Sequence, residues 1–161
     1  MTKAWNVRAT LAVARTRSLA ALGICLVAGA SGGDSAPRFV PLEIFLDSPQ
    51  PVAAWQFELE DRNAAMKVVG VENGDSGAFQ RAPYYDREAV QRGQAGRIVV
   101  ADYSLADERE LPSGRVRVAT VHLMLDGAAD FELRLVTANT ADGRPIREAS
   151  VSLQETQTRE R

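Results

Sequence analysis

From Ala53 to Glu60 the sequence alternates residue by residue, with Trp55, Phe57 and Leu59 apolar and Gln56, Glu58 and Glu60 polar. Successive side chains of a strand point to opposite faces, so a period of two separates the two sets cleanly. The segment is therefore a half-buried strand, with three large apolar groups committed to a core. Other short apolar segments follow the same habit, each ended by turn residues. Phe39 to Leu46 stops at Asp47-Ser48-Pro49-Gln50-Pro51, and Met66 to Val71 closes at Asn73-Gly74. Arg97 to Tyr103 is β-branched at Ile98, Val99 and Val100, and Val116 to Leu125 closes at Asp126-Gly127. Phe131, Leu133 and Leu135 alternate with Glu132 and Arg134, and Val151 to Leu153 forms a last short run after the Asp142-Gly143 turn.

About seven such segments, some 10–20 residues apart and with no long helical pattern between them, predict an all-β antiparallel sandwich. A closed barrel would bury its core in the same way, and periodicity does not separate the two. In Val116 to Leu125 the apolar phase moves from Val116 and Val118 to Val121, Leu123 and Leu125, which marks a β-bulge. The stretch Asp75 to Gln94 breaks the strand rhythm and reads as a long loop with one helical turn near Arg87 to Arg92.

The N-terminus has a different character. Lys3, Arg8, Arg15 and Arg17 precede any acidic residue, and Leu19 to Ala30 is an apolar run too short to span a bilayer. With Ala28-Gly29-Ala30 as a small-residue cleavage site, residues 1–30 read as a signal peptide, and the protein as secreted, periplasmic or cell-surface. Cys25 is preceded by Ile24, where a lipidated cysteine takes a small residue, so lipoprotein anchoring is disfavoured. Residues 31–38 follow as a polar Gly/Ser linker, 39–154 as the sandwich and 155–161 as a polar tail. Cys25 is the only cysteine, so the exported part has no disulfide and no thiolate metal site, and depends on its apolar core. Without the four N-terminal cations the remainder carries roughly −6, against −2 for the whole chain, which argues against nucleic acid or an anionic membrane as partner.

Taken in order, PLEIFLDSPQPVAAWQFELE, MKVVGVE, GAF, GRIVVADYSL, GRVRVATVHLMLDG and TADGRPI resemble a cohesin domain. The resemblance spans roughly residues 39–153 and rests on the order and spacing of the motifs, since each alone is hydrophobic alternation. It implies a jelly-roll β-sandwich of eight or nine strands, related to cellulose-binding-type carbohydrate-binding modules, with the family's opening strand missing or reduced to Arg38 to Val40. It also implies a non-catalytic module that docks a dockerin-type protein partner through one flat sheet face, in a setting of polysaccharide degradation. Any calcium belongs to the dockerin, and no cofactor or metal is expected on this chain. The implied face includes the strands matching Ala53–Glu60, Arg97–Tyr103 and Val116–Leu125, and its outward candidates are Gln56, Glu58, Glu60, Thr120, His122 and Met124. Every half-buried strand has a solvated side of this composition, so the same residues also fit plain surface.

Two further classes stay open. A carbohydrate-binding module would use aromatic platforms, for which Tyr84 and Tyr85 are the candidates, although adjacent residues of an extended segment point opposite ways. A structural domain of a cell-envelope assembly is the other. Catalysis finds little support: His122 is the only histidine, no pair of carboxylates stands out, and phosphate-loop, dinucleotide and zinc-protease motifs are absent.

Overall fold

The computed structural model describes residues 36–93 and 96–156. The expected signal peptide, residues 1–30, lies outside the described residues, as does most of the linker. Eight strands form, in the order β1 (Arg38–Ser48), β2 (Ala54–Asp61), β3 (Met66–Asn73), β4 (Tyr84–Tyr85), β5 (Arg97–Tyr103), β6 (Gly114–Leu125), β7 (Phe131–Asn139) and β8 (Ser150–Glu155), with one short helix α1 (Arg87–Gln91). They make two four-stranded antiparallel sheets, β3-β6-β1-β8 and β4-β5-β2-β7. Two separate sheets facing each other across one core make a sandwich, which decides against the barrel.

The core is built from the apolar phase of each strand. Leu42, Ile44, Phe57, Leu59, Val100, Val121, Leu123 and Leu125 are fully enclosed, and Trp55 lies parallel to Phe57 with centroids 5.7 Å apart and edge-on to Phe79 at 6.0 Å. The bulge expected in Val116–Leu125 is present. Ile44 pairs with Ala119 and Phe45 with Arg117, so Val118 is the extra residue and turns inward beside Ala119. Further register shifts put Val69 on β3 and Val136 on β7 outside the pairing, and both valines are exposed. Both strands are sheet edges, where bulges break up a flat template for pairing with other chains.

Among the described residues no separate opening strand precedes the Phe39–Leu46 segment; Arg38–Val40 is continuous with it in β1, which runs unbroken over eleven residues and pairs with β6 on one side and β8 on the other. Alternation carries straight through it: Val40, Leu42, Ile44 and Leu46 are buried while Pro41, Glu43 and Phe45 are not. Strand β8 reaches Glu155, and the Thr156 N–H donates to the Pro41 carbonyl at 3.1 Å, so ordered pairing extends past residue 154.

One end of the sandwich is closed by Asp61. Both β2–β3 and β6–β7 cross from one sheet to the other there. Asp61 Oδ1 accepts from the N–H groups of Asn63 (3.1 Å) and Asp130 (2.8 Å), and Oδ2 from those of Ala65 (2.7 Å) and Met66 (2.8 Å). One buried carboxylate thus fastens both crossovers, including the turn in which Ala64 takes a left-handed φ of 54°. Burial pushes its carboxyl pKa up, and the four backbone donors more than offset that, holding it below the ordinary 3.8.

Candidate functional site

Sheet β4-β5-β2-β7 presents a broad outer face. Along β2, Gln56, Glu58 and Glu60 point outward, as their alternation with Trp55, Phe57 and Leu59 requires. Opposite them on β5 stand Ala101, Val99 and Arg97, and on β7 Thr137, Arg134 and Glu132. Glu58 sits at the middle and is nearly enclosed, because Arg97 and Arg134 close over it from the two neighbouring strands and each binds one carboxylate oxygen. The Arg97 hydrogen bond is the largest influence on Glu58, ahead of opposing burial and of the Arg134 bond, and its pKa falls from 4.5 to about 2. The carboxylate is therefore charged at neutral pH, and its two arginines leave most of their own surface free for solvent.

Beside Gln56, Glu60, Thr137 and Glu132, the face around this ion triad also carries exposed apolar and aromatic groups. Val99 and Val136 are exposed, and Tyr84 and Tyr103 lie parallel to each other, 8° apart with centroids at 5.9 Å, and are 54% and 47% exposed. Tyr84 sits opposite Ala101 on the outer face, while Tyr85 sits opposite Val100 and packs inward against the core. The candidate pair Tyr84 and Tyr85 is thus not a platform, because consecutive strand residues diverge. The aromatic pair that does form is Tyr84 with Tyr103, which sequence spacing concealed because the two come from different strands. A hydrogen bond donated by the Tyr84 hydroxyl to Tyr103 is the main reason that the Tyr84 phenol is pushed above its usual 10.

The remaining candidates lie elsewhere. Thr120, His122 and Met124 point outward from β6, as their phase predicts, but β6 belongs to the other sheet. The six residues chosen from sequence therefore occupy opposite sides of the sandwich, three on each: Gln56, Glu58 and Glu60 on one outer face and Thr120, His122 and Met124 on the other. Thr120 is buried beneath Arg117, which donates to it at 2.7 Å and also pairs with Asp75. His122 Nε2 lies 3.3 Å from a Glu72 carboxylate oxygen on β3. No serine–histidine–aspartate arrangement involves His122 among the described contacts, and no cluster of three or more His, Cys, Asp or Glu able to hold a metal occurs among the described residues. No helix of the described residues is long and apolar enough to cross a membrane.

The long segment between β3 and β5 supplies the edge strand β4 and the helix α1, whose N-terminus is capped by Asp86 accepting from the Ala89 N–H at 2.8 Å. The helical turn expected near Arg87–Arg92 is this helix. Its upstream part, Gly77 to Arg81, lines a cavity of about 640 Å³ with Asp102 to Ala106, at the end of the sandwich away from Asp61.

Two solved structures share this arrangement. A chain of a type I cohesin–dockerin complex from Clostridium thermocellum superposes with a TM-score of 0.50 at 13% identity, over 68% of this chain and 81% of that one. The fold is cohesin-like. A non-cellulosomal cohesin from the hyperthermophilic archaeon Archaeoglobus fulgidus is also similar, with a TM-score of 0.46 at 14% identity over 68% of this chain and 72% of the other. No family model matches the sequence, and no curated protein matches it. The cohesin-like likeness is therefore one of three-dimensional arrangement, with the strand phases described above as its counterpart in the sequence.

Proposed function

We propose that this chain is a non-catalytic docking module that receives a protein partner on the outer face of sheet β4-β5-β2-β7. The observation that carries the reading is the composition of that face. Tyr84, Val99, Tyr103 and Val136 are exposed around the Glu58–Arg97–Arg134 triad. Aromatic and arginine side chains at the centre of a patch are the groups that dominate protein–protein association. Glu58 is already removed from water in the free protein, so its desolvation cost does not recur when a partner covers the face. A cohesin-like fold supports the same reading, since one of the similar structures was solved as a cohesin–dockerin complex. The partner in this reading is a dockerin-type module that brings its own calcium, and the setting is an exported one served by the signal peptide of residues 1–30. A role in polysaccharide degradation belongs to the same proposal.

The test is capture by the full chain, tagged at its C-terminus, from secreted and envelope fractions of the producing cell, with calcium and again with chelator. The expected result is a partner with dockerin-like calcium loops, retained only with calcium, lost by Val99→Arg and kept by His122→Ala on the opposite sheet. Retention that His122→Ala abolishes and Val99→Arg spares would move the interface to the other sheet. No calcium-dependent partner at all would sink the dockerin reading.

A further inference from the structure

Of the four strands that end a sheet, three are guarded. β4 is two residues long and follows Pro83, β3 carries Lys67 and the bulge at Val69, and β7 carries Glu132, Arg134 and the bulge at Val136. Shortness, charge, proline and bulges all keep a sheet edge from pairing with another chain. Strand β8 has none of these guards along its middle. It pairs with β1 in unbroken register, and Ala149 to Gln154 contains no charged residue and no proline. The Thr156 N–H donates to the Pro41 carbonyl, and hydrogen-bonded pairs alternate along an antiparallel ladder, so Ser150, Ser152 and Gln154 turn their backbone groups toward β1. Val151 and Leu153 turn theirs to the free edge, where no strand or loop among the described residues pairs with them.

The core is also incompletely closed on this side. The inward residues of the inner strands β1 and β2 are buried. Phe131, Leu133 and Leu135 of β7, and Val151 and Leu153 of β8, lie against each other across the two sheets and are only half-buried. A strand added in line with β8 would extend the apolar side over them. It must bring apolar side chains opposite Val151 and Leu153 and uncharged polar ones between, and the segment Ser150 to Gln154 itself has that pattern. Laid antiparallel on a second copy with Ser152 on the two-fold axis, Val151 stands opposite Leu153 of the second copy and exchanges both backbone hydrogen bonds with it. Ser150 then stands opposite Gln154, and Ser152 opposite its own copy, so no like charges meet. An axis at Leu153 would set Glu155 against Val151, and one at Val151 would need Arg147 to Ala149, which form a turn, to be extended.

We infer that the chain forms a symmetric dimer through β8, joining the sheets β3-β6-β1-β8 of two copies into one continuous sheet. The contact uses the sheet that does not carry the proposed docking face, leaves that face free, and does not rest on the docking reading.

The experiment is sedimentation equilibrium of the full chain over a range of concentrations, with single-cysteine crosslinking under mild oxidation in a Cys25→Ser background. A monomer–dimer equilibrium is expected. Ser152→Cys should crosslink nearly completely, because opposed residues of a non-hydrogen-bonded pair have Cα atoms about 4.5 Å apart, within disulfide reach. Gln154→Cys should not, since the register sets it opposite Ser150. Ser152→Lys places two like charges opposite each other on the solvent side and loses only an exposed contact with Arg115. It should raise the dimer Kd about fivefold or more, while the melting temperature of the dilute monomer is unchanged. Val99→Arg should leave the dimer intact, so this reading and the docking reading fail separately. A monomer at every concentration would overturn the proposal: slow hydrogen exchange of its Val151 and Leu153 amides would put another part of the chain on the edge, and fast exchange would leave the edge bare. A dimer that withstands Ser152→Lys, that is lost with Val99→Arg, or in which Gln154→Cys crosslinks as well as Ser152→Cys, would overturn it equally.

Discussion

The Asp61→Ala substitution should be the most damaging single change outside the apolar core. It removes the acceptor of four backbone N–H groups that belong to two different inter-sheet crossovers. The Asn63 and Asp130 donors lie at exposed positions and can turn to water. The Met66 N–H is buried and that of Ala65 partly so, and these lose their partners outright. Hydrogen bonds to a charged group contribute about 1.5–3 kcal/mol each, and a buried donor left unpaired costs about 1–3 kcal/mol. Counting the two buried donors in full and the exposed pair at little, the loss is about 3–5 kcal/mol. For a folded part of this size that is a fall in melting temperature of roughly 10–20 °C. Asp61→Asn should do little better, because its amide nitrogen would face two donors where an acceptor is needed. Urea denaturation followed by circular dichroism gives the free energy, with the slope showing whether the unfolding stays two-state. A loss under about 1 kcal/mol for Asp61→Ala would refute the keystone assignment.

Three more outcomes follow from the same geometry. Gly74→Ala places a Cβ against the Arg117 carbonyl and 2.7 Å from the Val118 carbonyl carbon, so β6 must move and the Asp75 N–H to Arg117 bond at 2.9 Å is lost. A destabilisation of about 2 kcal/mol or more is expected in urea, and neutrality would show that the chain relaxes there freely. Glu58 has a folded pKa near 2 against an ordinary 4.5, so its stabilising contribution is complete above about 4.5 and is lost as the pH falls toward 2. Wild type should therefore lose melting temperature across that window more steeply than Glu58→Gln, and parallel curves would show that the arginines do not hold it. Tyr103→Phe removes the hydrogen bond that raises the Tyr84 phenol, so alkaline near-ultraviolet titration should find one tyrosine ionising at lower pH than in wild type. An unchanged titration would separate the two rings in solution.

What the sequence discloses here is what nearest neighbours along the chain determine. Strand positions and their inward phases follow from period two, and Trp55, Phe57, Leu59, Val121, Leu123 and Leu125 are all buried as alternation requires. The bulge at Val118 was legible for the same reason, as a phase slip within one segment. Partnership between strands is not local. The alternation of Val116–Leu125 tells which of its side chains point outward and is silent on which sheet the strand joins, so it does not correct the resemblance's placing of Thr120, His122 and Met124 on one face with Gln56, Glu58 and Glu60. The Tyr84–Tyr103 pair escaped because its members are nineteen positions apart and meet only through the two-residue strand β4.

The alternation also carries a finer signal. Asp61 follows Leu59 in the apolar phase of β2, and Asp102 follows Val100 in that of β5. A carboxylate on the apolar phase of a strand must be buried, and burial of that group costs too much to persist without a reason. The two residues differ in what they meet there. Asp61 receives four backbone donors and its pKa is lowered, so the fold itself supplies the reason. Asp102 receives one, its pKa is raised, and its second oxygen is enclosed without a partner among the described residues. Identical chemistry at opposite ends of one sandwich therefore divides, by the count of donors alone, into a carboxylate that fastens the fold and one that burdens it. The sign of the stability change on truncation follows the same division: a large loss at Asp61, none or a gain at Asp102.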